Sequence, residues 1–468
     1  MTAIVSKSIH SLAIHSMVIV GLLLGAGCDA ATKDAKGDAK AAVNADGSVQ
    51  VGDGGSTGTA GNANIAINSG TSLVFNRSGT LSTGVSLSGS GTLVQNGSGT
   101  LELTSASTFG GPVNVNAGTL KLSGSGAIGN GGIAIVSGGT LEVARDSSTY
   151  TMNNVLSGSG NLVKSGTGAL LLANPSSLTG TTTVKGGTLI VGATGGSHSL
   201  IGGGPIVLEN AGTVLAHWAI GGSYTFANTI SGLGTVVMDS GSNTATLSGP
   251  NTYTGPTTIK TGILAVSSLA DGGGTSGIGA SSNAATNLII NGGTLRYTGA
   301  AVTTDRLFSV GTASGLIDAS GSGAVQFTNS GSMGFNSQTG ARTLVLTGSN
   351  TGDNSLAAAI GDSGGATTIS KRSTGTWVLS SASSTFTGGV LDRTAGTPEN
   401  QITFNGFSNN STTWATVATY GYFEHEIRPV PEPSTYAAVF GGLALLGTLW
   451  HRRRQQYHRG SVGQPHLP

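Results

Sequence analysis

A serine flanked by glycines is the feature of this sequence most suggestive of chemistry. Residues 361–365 read Gly-Asp-Ser-Gly-Gly. A serine hydroxyl in such a turn is accessible for attack on a carbonyl, the glycines free backbone N–H groups to bind the oxyanion, and a histidine must accept the proton. His217 and Asp271 precede Ser363 in the chain. Acyl transfer is therefore the first hypothesis that the residue types raise.

The pentapeptide resembles the nucleophile signature of chymotrypsin-like serine proteases, and His217 and Asp271 follow the chain order of that family. The resemblance implies Ser363 as the nucleophile. However, no cysteine follows His217 as in the family, and Asp271 lies in a run of glycines without strand-forming neighbours. The pentapeptide also falls within a repeat, where a Gly-rich turn is expected. We therefore interpret it as a turn and keep the serine protease as the remotest alternative.

The other ionisable residues do not form a pattern typical of a metal or acid-base site. His198 and His217 have no His or Cys partner at ligand spacing, so we expect them in a surface turn and at a strand edge. The acidic residues are scattered singly, whereas a β-helix enzyme acting on polysaccharide needs carboxylates that converge in a cleft. The sequence thus predicts no metal, no cofactor and no enzymatic activity.

The composition indicates a β-rich extracellular protein. Of 468 residues 80 are Gly, only 9% are charged, and the formal net charge is +1. The low charge and the mean hydropathy of +0.14 exclude disorder driven by charge. Collagen is excluded because Gly has no three-residue period and there are 11 Pro. Nucleic acid is not expected as a partner, since the chain offers no clustered basic face.

The N-terminal residues 1–28 are predicted to be a signal peptide. Lys7 gives a weakly basic start, residues 17–27 are apolar, and small residues lead into Cys28, the single cysteine. Residues 24–28 resemble a bacterial lipoprotein cleavage box, which implies lipidation of the Cys28 thiol; the alternative is an ordinary signal peptide. Residues 29–54 are predicted to be a flexible polar linker.

The C-terminus shows three features in a fixed order. Pro431, Glu432 and Pro433 precede an apolar run at residues 436–450, which is long enough for about one membrane crossing as a single hydrophobic helix. A basic cluster follows, consisting of Arg452, Arg453 and Arg454. This order resembles the PEP-CTERM sorting signal of Gram-negative bacteria, here residues 429–454. The resemblance implies recognition by an exosortase, a basic anchor on the cytoplasmic side, and export to the cell surface or matrix. Residues 455–468 form a tail that the family usually lacks.

Between residues 55 and 399 the chain repeats itself. The tripeptide Gly-Thr-Leu recurs and is usually followed by one outward polar residue and another apolar one, as in Leu120-Lys121-Leu122. This alternation predicts short, half-buried strands separated by glycine turns. The tripeptide begins at Gly91, Gly99, Gly118, Gly139, Gly187 and Gly293.

A larger unit is marked by an aromatic residue or Leu with Gly one or two places later. These positions are Phe109, Leu178, Tyr253 and Phe386. The first two spacings are similar and the last is nearly twice as long, so a degenerate copy is expected within it. Strands this short cannot bury a core alone and must stack as a coil. At about 20 residues per rung, the region predicts about 17 rungs and a rod of about 80 Å.

The repeats resemble the autotransporter-associated β-strand repeat, also called the passenger-associated transport repeat. The resemblance is carried by residues 164–168, 251–255 and 350–354. It implies an all-β fold, a right-handed parallel β-helix passenger on the surface of a Gram-negative cell. Residues 400–428, which are richer in aromatics, are predicted to cap the last rung.

These features together predict a secreted or cell-surface protein that is structural or adhesin-like and has no catalytic activity. The expected partners are the sorting enzyme, glycans, matrix or other cells, and the membrane through the two termini. A β-helix enzyme or binding module acting on extracellular polysaccharide is the alternative.

Overall fold

The described part of the chain is built from β-strands, as the sequence predicts. The structure, a computed structural model, describes residues 47–60, 64–192, 201–217 and 222–392, with the backbone of three further strands at 32–33, 39–43 and 402–404. These residues form 38 strands, no α-helix, and one 3₁₀ helix at Ala285–Asn287.

The first strands precede residue 124. They are β1 Thr32–Lys33, β2 Ala39–Val43, β3 Val49–Val51, β4 Ile65–Ile67, β5 Ser72–Phe75, β6 Leu81–Thr83, β7 Leu87–Gly89, β8 Thr92–Gln95, β9 Thr100–Leu103, β10 Val113–Val115 and β11 Gly118–Ser123. Strands β1, β2 and β3 pair antiparallel in succession. Every other pairing between strands in the described residues is parallel.

The middle strands continue the same pattern. They are β12 Ile133–Ile135, β13 Gly139–Ala144, β14 Thr149–Met152, β15 Leu156–Gly158, β16 Asn161–Ser165, β17 Ala169–Leu172, β18 Ser177–Leu178, β19 Thr182–Val184, β20 Thr188–Val191, β21 Ile206–Leu208, β22 Val214–His217, β23 Tyr224–Phe226, β24 Ile230–Gly232, β25 Thr235–Leu247 and β26 Thr257–Val266.

The last strands follow the 3₁₀ helix. They are β27 Leu288–Ile290, β28 Thr294–Tyr297, β29 Val302–Thr304, β30 Ser309–Val310, β31 Gly315–Ala319, β32 Val325–Phe327, β33 Arg342–Thr347, β34 Asn354–Leu356, β35 Thr367–Lys371, β36 Trp377–Leu379, β37 Val390–Asp392 and β38 Ile402–Phe404.

The strands stack into long sheets that run along the coil. The first contains β3, β5, β8, β10, β12, β15 and β18, and the second contains β6, β9, β11, β13, β16, β19, β21 and β24. The third runs through β14, β17, β20, β22, β25, β26, β28, β31, β33, β35 and β37, and the fourth contains β29, β32, β34, β36 and β38. Successive strands β13 to β18 visit the second, third and first sheets in turn, twice. The chain is therefore a parallel β-solenoid.

Stacked apolar rows fill the inside of the coil. Leu101, Leu120, Leu141 and Leu162 are paired from rung to rung, and each is at most 1% exposed. Fully burying such a side chain is worth about 1.5–3 kcal/mol relative to leaving it exposed. The Gly-Thr-Leu prediction is confirmed, because its leucine begins the inward alternation in β11 and β13.

The length of a rung varies along the chain. Leu101 pairs with Leu120, so this rung has the predicted length. Ile263 pairs with Thr294, and that rung is more than half as long again. The predicted rung length therefore describes the first half of the coil. The second half inserts longer loops between its strands.

We call Phe109, Leu178, Tyr253 and Phe386, which mark the larger unit, the corner residues. The glycine two places after Phe109, Leu178 and Tyr253 is needed because neighbouring rungs touch there. A Cβ on Gly180 would lie 2.0 Å from the carbonyl oxygen of Gly160, and a Cβ on Gly204 would lie 1.9 Å from that of Gly180. Gly111 and Gly255, which follow Phe109 and Tyr253, are equally close to the backbone of the preceding rung. The sequence motif thus marks the place where backbone packs on backbone.

Two predicted boundaries differ from the observed strands. Parallel pairing begins with β3, which lies inside the predicted linker and pairs with β5. At the other end, β38 pairs with β36 and so extends the fourth sheet into the predicted cap. The remaining residues of the cap, the signal peptide, the sorting signal and the tail lie outside the described residues.

Candidate functional surface

Ser363 and Asp362 lie in a turn that other rungs hold in place. The Ser363 hydroxyl donates to the carbonyl of Gln338 at 3.3 Å. The Asp362 carboxylate accepts the N–H of Thr367 at 2.7 Å, and its other oxygen accepts both the N–H and the hydroxyl of Thr387. The pentapeptide is therefore a capped turn, as the sequence interpretation expects.

His217 is far from Ser363 and faces the inside of the coil. It ends β22, whereas Ser363 precedes β35, six strands further along the third sheet, or about 29 Å at about 4.8 Å per strand. His217 is 5% exposed and stacks on Tyr224 with ring centroids 4.1 Å apart. Burial lowers the pKa of His217 to about 3. The expectation of a strand edge is wrong for His217, because it lies two residues after buried Leu215 in β22 and so points to the same inner face. His198 lies outside the described residues.

Asp271 and Asp305 are neighbouring carboxylates that cap backbone groups. Asp271 accepts the N–H of Asp305 at 2.8 Å, and Asp305 accepts the N–H of Gly272 at 2.7 Å and the side-chain amide of Asn283 at 2.8 Å. These oxygens are occupied by the loop itself. No group of three or more His, Cys, Asp or Glu side chains that could hold a metal ion occurs among the described residues.

Buried lysine and glutamine side chains hold the turns of the regular rungs. Lys164 is fully buried, and its Nζ donates to the carbonyls of Ser165, Gly166 and Gly186 at 2.5, 2.8 and 3.2 Å. Desolvation lowers the pKa of Lys164 to about 8. Gln95 donates in the same way to the carbonyls of two turn glycines. We call such a side chain a turn clasp.

Lys371 is a third turn clasp, with Nζ bonds to the carbonyls of Arg372 and Ser373. Lys164 lies in one of the segments that carry the resemblance to the passenger-associated repeat, but the inward direction of Lys164 and Lys371 was not predicted. A signal was present, because Lys164 and Lys371 share the parity of buried Leu162 and Ile369 in their strands. Side chains two residues apart in a strand lie on the same face, so a lysine two residues after a buried apolar residue is expected to point into the coil.

Arg306 performs the same task for a long loop. It is 2% exposed and donates to the carbonyls of Ala270, Asp271, Gly274 and Gly279 and to the hydroxyl of Ser281, at 2.9–3.4 Å. Desolvation lowers the pKa of Arg306, as expected for a cation held away from water. Its five bonds fix the loop between β26 and the 3₁₀ helix.

Arg342 holds the next long loop. It is 3% exposed and donates to the carbonyls of Val310, Phe335, Gln338, Gly340 and Ser363, at 2.7–3.4 Å. Its guanidinium also lies 4.8 Å from the ring centroid of Phe335. Sequence reasoning did not find Arg306 or Arg342, because neither lies in a repeated motif.

The two loops held by these arginines form one surface feature. We define the lateral ridge as residues 267–287 and 328–341. The Asn329 amide donates to the carbonyl of Asp305, whose carboxylate also caps the first loop, so the two parts are tied together. The exposed polar residues of the ridge are Ser267, Ser268, Asp271, Thr275, Ser282, Asn283, Thr286, Thr328, Ser330, Ser332, Ser337 and Thr339.

The ridge has almost no charge and no exposed apolar anchor. Asp271 is its single charged residue. Its large aliphatic side chains Leu269, Ile278 and Met333 are buried in the core of the coil. The exposed large hydrophobic side chains of the described residues all lie outside the ridge; they are Val136, Val155 and Leu233. Apart from the Asp271 carboxylate and the methyl groups of Ala284 and Ala341, its exposed side chains carry hydroxyl or amide groups.

The second sheet has a different outer face. Glu102, Lys121 and Glu142 stand side by side on successive rungs, and Lys121 Nζ lies 3.1 Å from Glu102 Oε1. Lys121 and Glu102 are half-buried at the surface, and a surface pair of this kind contributes at most about 1 kcal/mol to stability. On the third sheet, outward-facing side chains form a small apolar cluster separate from the core, consisting of Leu171, Ile190 and Ala216.

The predicted terminal sites lie outside the described residues. They are Cys28, Pro431, Glu432, Pro433, Arg452, Arg453 and Arg454. Within the part of the chain that the structure describes, no helix is long and apolar enough to cross a membrane.

Four segments of the coil match the passenger-associated-transport-repeat family. They are residues 93–122, 162–191, 239–266 and 369–391. Each segment contains one of the four corner residues, which are Phe109, Leu178, Tyr253 and Phe386. The chain carries passenger-type repeats. Residues 267–368, which include the ridge, lie between the third and fourth matches.

The chain is also similar to the adhesin BmaC autotransporter of Brucella suis biovar 1 (strain 1330). The two are 38% identical over 300 residues, which is 56% of this chain and 9% of the relative. No solved structure matches the chain. The chain thus carries passenger-type repeats and is similar to a small part of a protein named as an adhesin. It is a secreted or cell-surface protein of a Gram-negative bacterium.

Proposed function

We propose that the protein is a non-catalytic adhesin that displays its β-helix at the cell surface and contacts glycans, matrix or other cells. The observation that carries the proposal is a parallel coil whose regular rungs match a passenger repeat, together with a relative named as an adhesin. Crossover connections between parallel strands are right-handed in about 98% of cases, which supports the right-handed coil that the resemblance to the repeat family implies.

The proposed route to the surface uses both termini. A signal peptide exports the chain and leaves Cys28 to be lipidated, and Pro431-Glu432-Pro433 with the following apolar run and Arg452–Arg454 is recognised by an exosortase. Support comes from the order of these sequence features and from the positive charge on the side expected to face the cytoplasm.

Fractionation and intact mass test this route. Cells are separated into cytoplasmic, membrane, surface and medium fractions, and the mature protein is weighed. The expected species lacks the residues before Cys28 and those after about Pro433. A mass that includes the intact C-terminus contradicts cleavage by a sorting enzyme, while absence from the surface and medium contradicts the adhesin proposal itself.

The serine protease alternative has a separate test. A fluorophosphonate probe is incubated with the purified protein, and labelling is located by peptide mapping. We expect no label on Ser363, because its hydroxyl donates to the Gln338 carbonyl and His217 is six strands away. Labelling at Ser363 that disappears in Ser363→Ala would restore the protease hypothesis.

A further inference from the structure

The loops of the lateral ridge place Leu269, Ile278 and Met333 in the core and hold their polar residues on the surface. Each residue of the ridge loses about 1–2 kcal/mol of backbone freedom when it is fixed. Arg306 and Arg342 are nearly buried and hydrogen-bond to neutral groups rather than to carboxylates. Burying a cation is unfavourable unless many hydrogen bonds compensate. Their bonds go to the loops, so this burial holds the ridge in one conformation.

The regular rungs show that a coil of this kind can close with much shorter turns. Residues 162–191 close their rungs with short turns and a single lysine clasp. The ridge lies in the stretch that the repeat family does not match. Ordered loops on a rigid scaffold are where proteins commonly place binding surfaces. From this placement we infer that the lateral ridge is the ligand-binding surface of the protein and that its ligand is an uncharged glycan.

The chemistry of the ridge selects this class of ligand. Phosphate, nucleic acid and acidic polymers bind through basic residues, and residues 267–287 and 328–341 contain neither Lys nor Arg. Protein partners bind through buried aromatic or aliphatic anchors, and no exposed large hydrophobic side chain of the described residues lies on the ridge. Serine, threonine and asparagine side chains remain, and they match the hydroxyl groups of a neutral sugar. A preformed surface also reduces the ordering cost of binding.

The inference rests on the proposed adhesin function, and its test separates the two. The full-length mature protein is applied to an array of uncharged, sialylated and sulfated oligosaccharides. The ridge variant carries three changes at exposed residues whose side chains do not anchor the loop, Thr275→Arg, Thr286→Arg and Ser330→Arg. The control variant carries changes at exposed residues on strands away from the ridge, Thr149→Arg, Thr151→Arg and Ser177→Arg. A second ridge variant removes the hydroxyls without adding charge, by Thr275→Val, Thr286→Val and Ser330→Ala.

The wild type and the control variant should bind uncharged oligosaccharides, and both ridge variants should lose about tenfold or more in affinity while their unfolding temperatures stay unchanged. Binding only to charged glycans, or equal binding by the ridge variants, would overturn the inference. Adherence of intact cells to host surfaces is measured in parallel. If cells lacking the protein lose adherence but cells with the ridge variants do not, the adhesin function stands and the ridge is rejected as the binding surface. If cells with the wild-type protein do not adhere, the proposed function itself is rejected.

Discussion

Residues 93–191 and residues 267–368 close the same coil with different side chains. In the first region the rungs are short, as in the pairing of Leu93 with Val113, and the clasps are Gln95 and Lys164. In the second region the rungs are longer by about half, as in the pairing of Leu316 with Val345, and the clasps are Arg306 and Arg342.

The difference follows the number of backbone carbonyls that a turn leaves without a partner inside the coil. The amide of Gln95 bonds two of them, the ammonium of Lys164 bonds three, and Arg306 and Arg342 each make five bonds. A glutamine amide has two N–H donors, an ammonium three and a guanidinium five, and in both arginines the two hydrogens of Nη2 are shared among three carbonyls. Longer loops leave more carbonyls unpaired, so they require the side chain with more donors.

The largest expected effect tests the close rung packing of the first region. In Gly180→Ala the new methyl group would lie 2.0 Å from the Gly160 carbonyl oxygen, and the rungs must separate. We expect a loss of about 3 kcal/mol in the free energy of unfolding, measured by denaturant titration. The control is Gly203→Ala on the next rung, where a Cβ meets nothing within 4 Å. Equal stability of Gly180→Ala and wild type would show that the rungs are not packed this closely.

The second prediction concerns the arginine clasp of the other region. Arg306→Leu keeps much of the side-chain volume but leaves four carbonyls and the Ser281 hydroxyl without their donor. We expect about 3 kcal/mol of destabilisation and faster amide exchange at residues 267–287 than in the strands. Arg372→Leu, at an exposed position, is the control and should change stability little. Uniform loss of protection over the whole coil would mean that the ridge loops do not open independently of the strands.

The structure of the regular rungs in residues 93–191 can be predicted from the sequence better than that of the longer rungs in residues 267–368. The alternation in Leu120-Lys121-Leu122 predicts the strand and its inward face, and the recurrence at Leu141 indicates its register. The same parity rule applied to Lys164 would have placed a cation inside, but lysine is normally assigned outward by type. The ridge could not be predicted, because its Gly- and Ser-rich loops have no period and their order depends on Arg306, which is distant in sequence from its partners. The prediction for His217 was wrong for a related reason, because a single polar residue in a short strand does not show which face of the strand its side chain occupies.

A third prediction tests whether the clasp is defined by hydrogen bonds or by charge. Lys164→Leu leaves three turn carbonyls unpaired and should cost about 2 kcal/mol of unfolding free energy. Lys164→Gln should cost about half as much or less, because Gln95 also bonds the carbonyl of the glycine two residues further on, as Lys164 does. Lys185→Gln at an exposed position controls for loss of a positive charge. Equal loss in the two Lys164 variants would contradict the donor account.

The same clasp predicts a dependence on alkaline pH. Burial lowers the pKa of Lys164 to about 8 in the folded protein, below its usual 10.5. Between these values the unfolded chain binds more protons, so stability rises as pH increases from about 8 toward 10.5. This rise should be smaller in Lys164→Gln, in which no group titrates at that position. An identical rise in both proteins would show that other groups cause it.

The last prediction concerns His217, which lies between the second and third matched repeats. Its effect on the free energy of unfolding appears in acid rather than at neutral pH. Its pKa is about 3 in the folded protein against 6.5 normally, so the unfolded chain binds more protons between these values. The stability due to neutral His217 is complete above pH 6.5 and is lost as pH falls toward 3. In His217→Leu, the decrease in unfolding free energy between pH 7 and pH 4.5 should be smaller by about 2 kcal/mol. Phe226→Leu, which alters the ring packed against His217 but removes no titrating group, should keep the wild-type acid dependence. An unchanged acid dependence in His217→Leu would mean that the imidazole reaches water, and the rung between these repeats would then be more open than the rungs on either side.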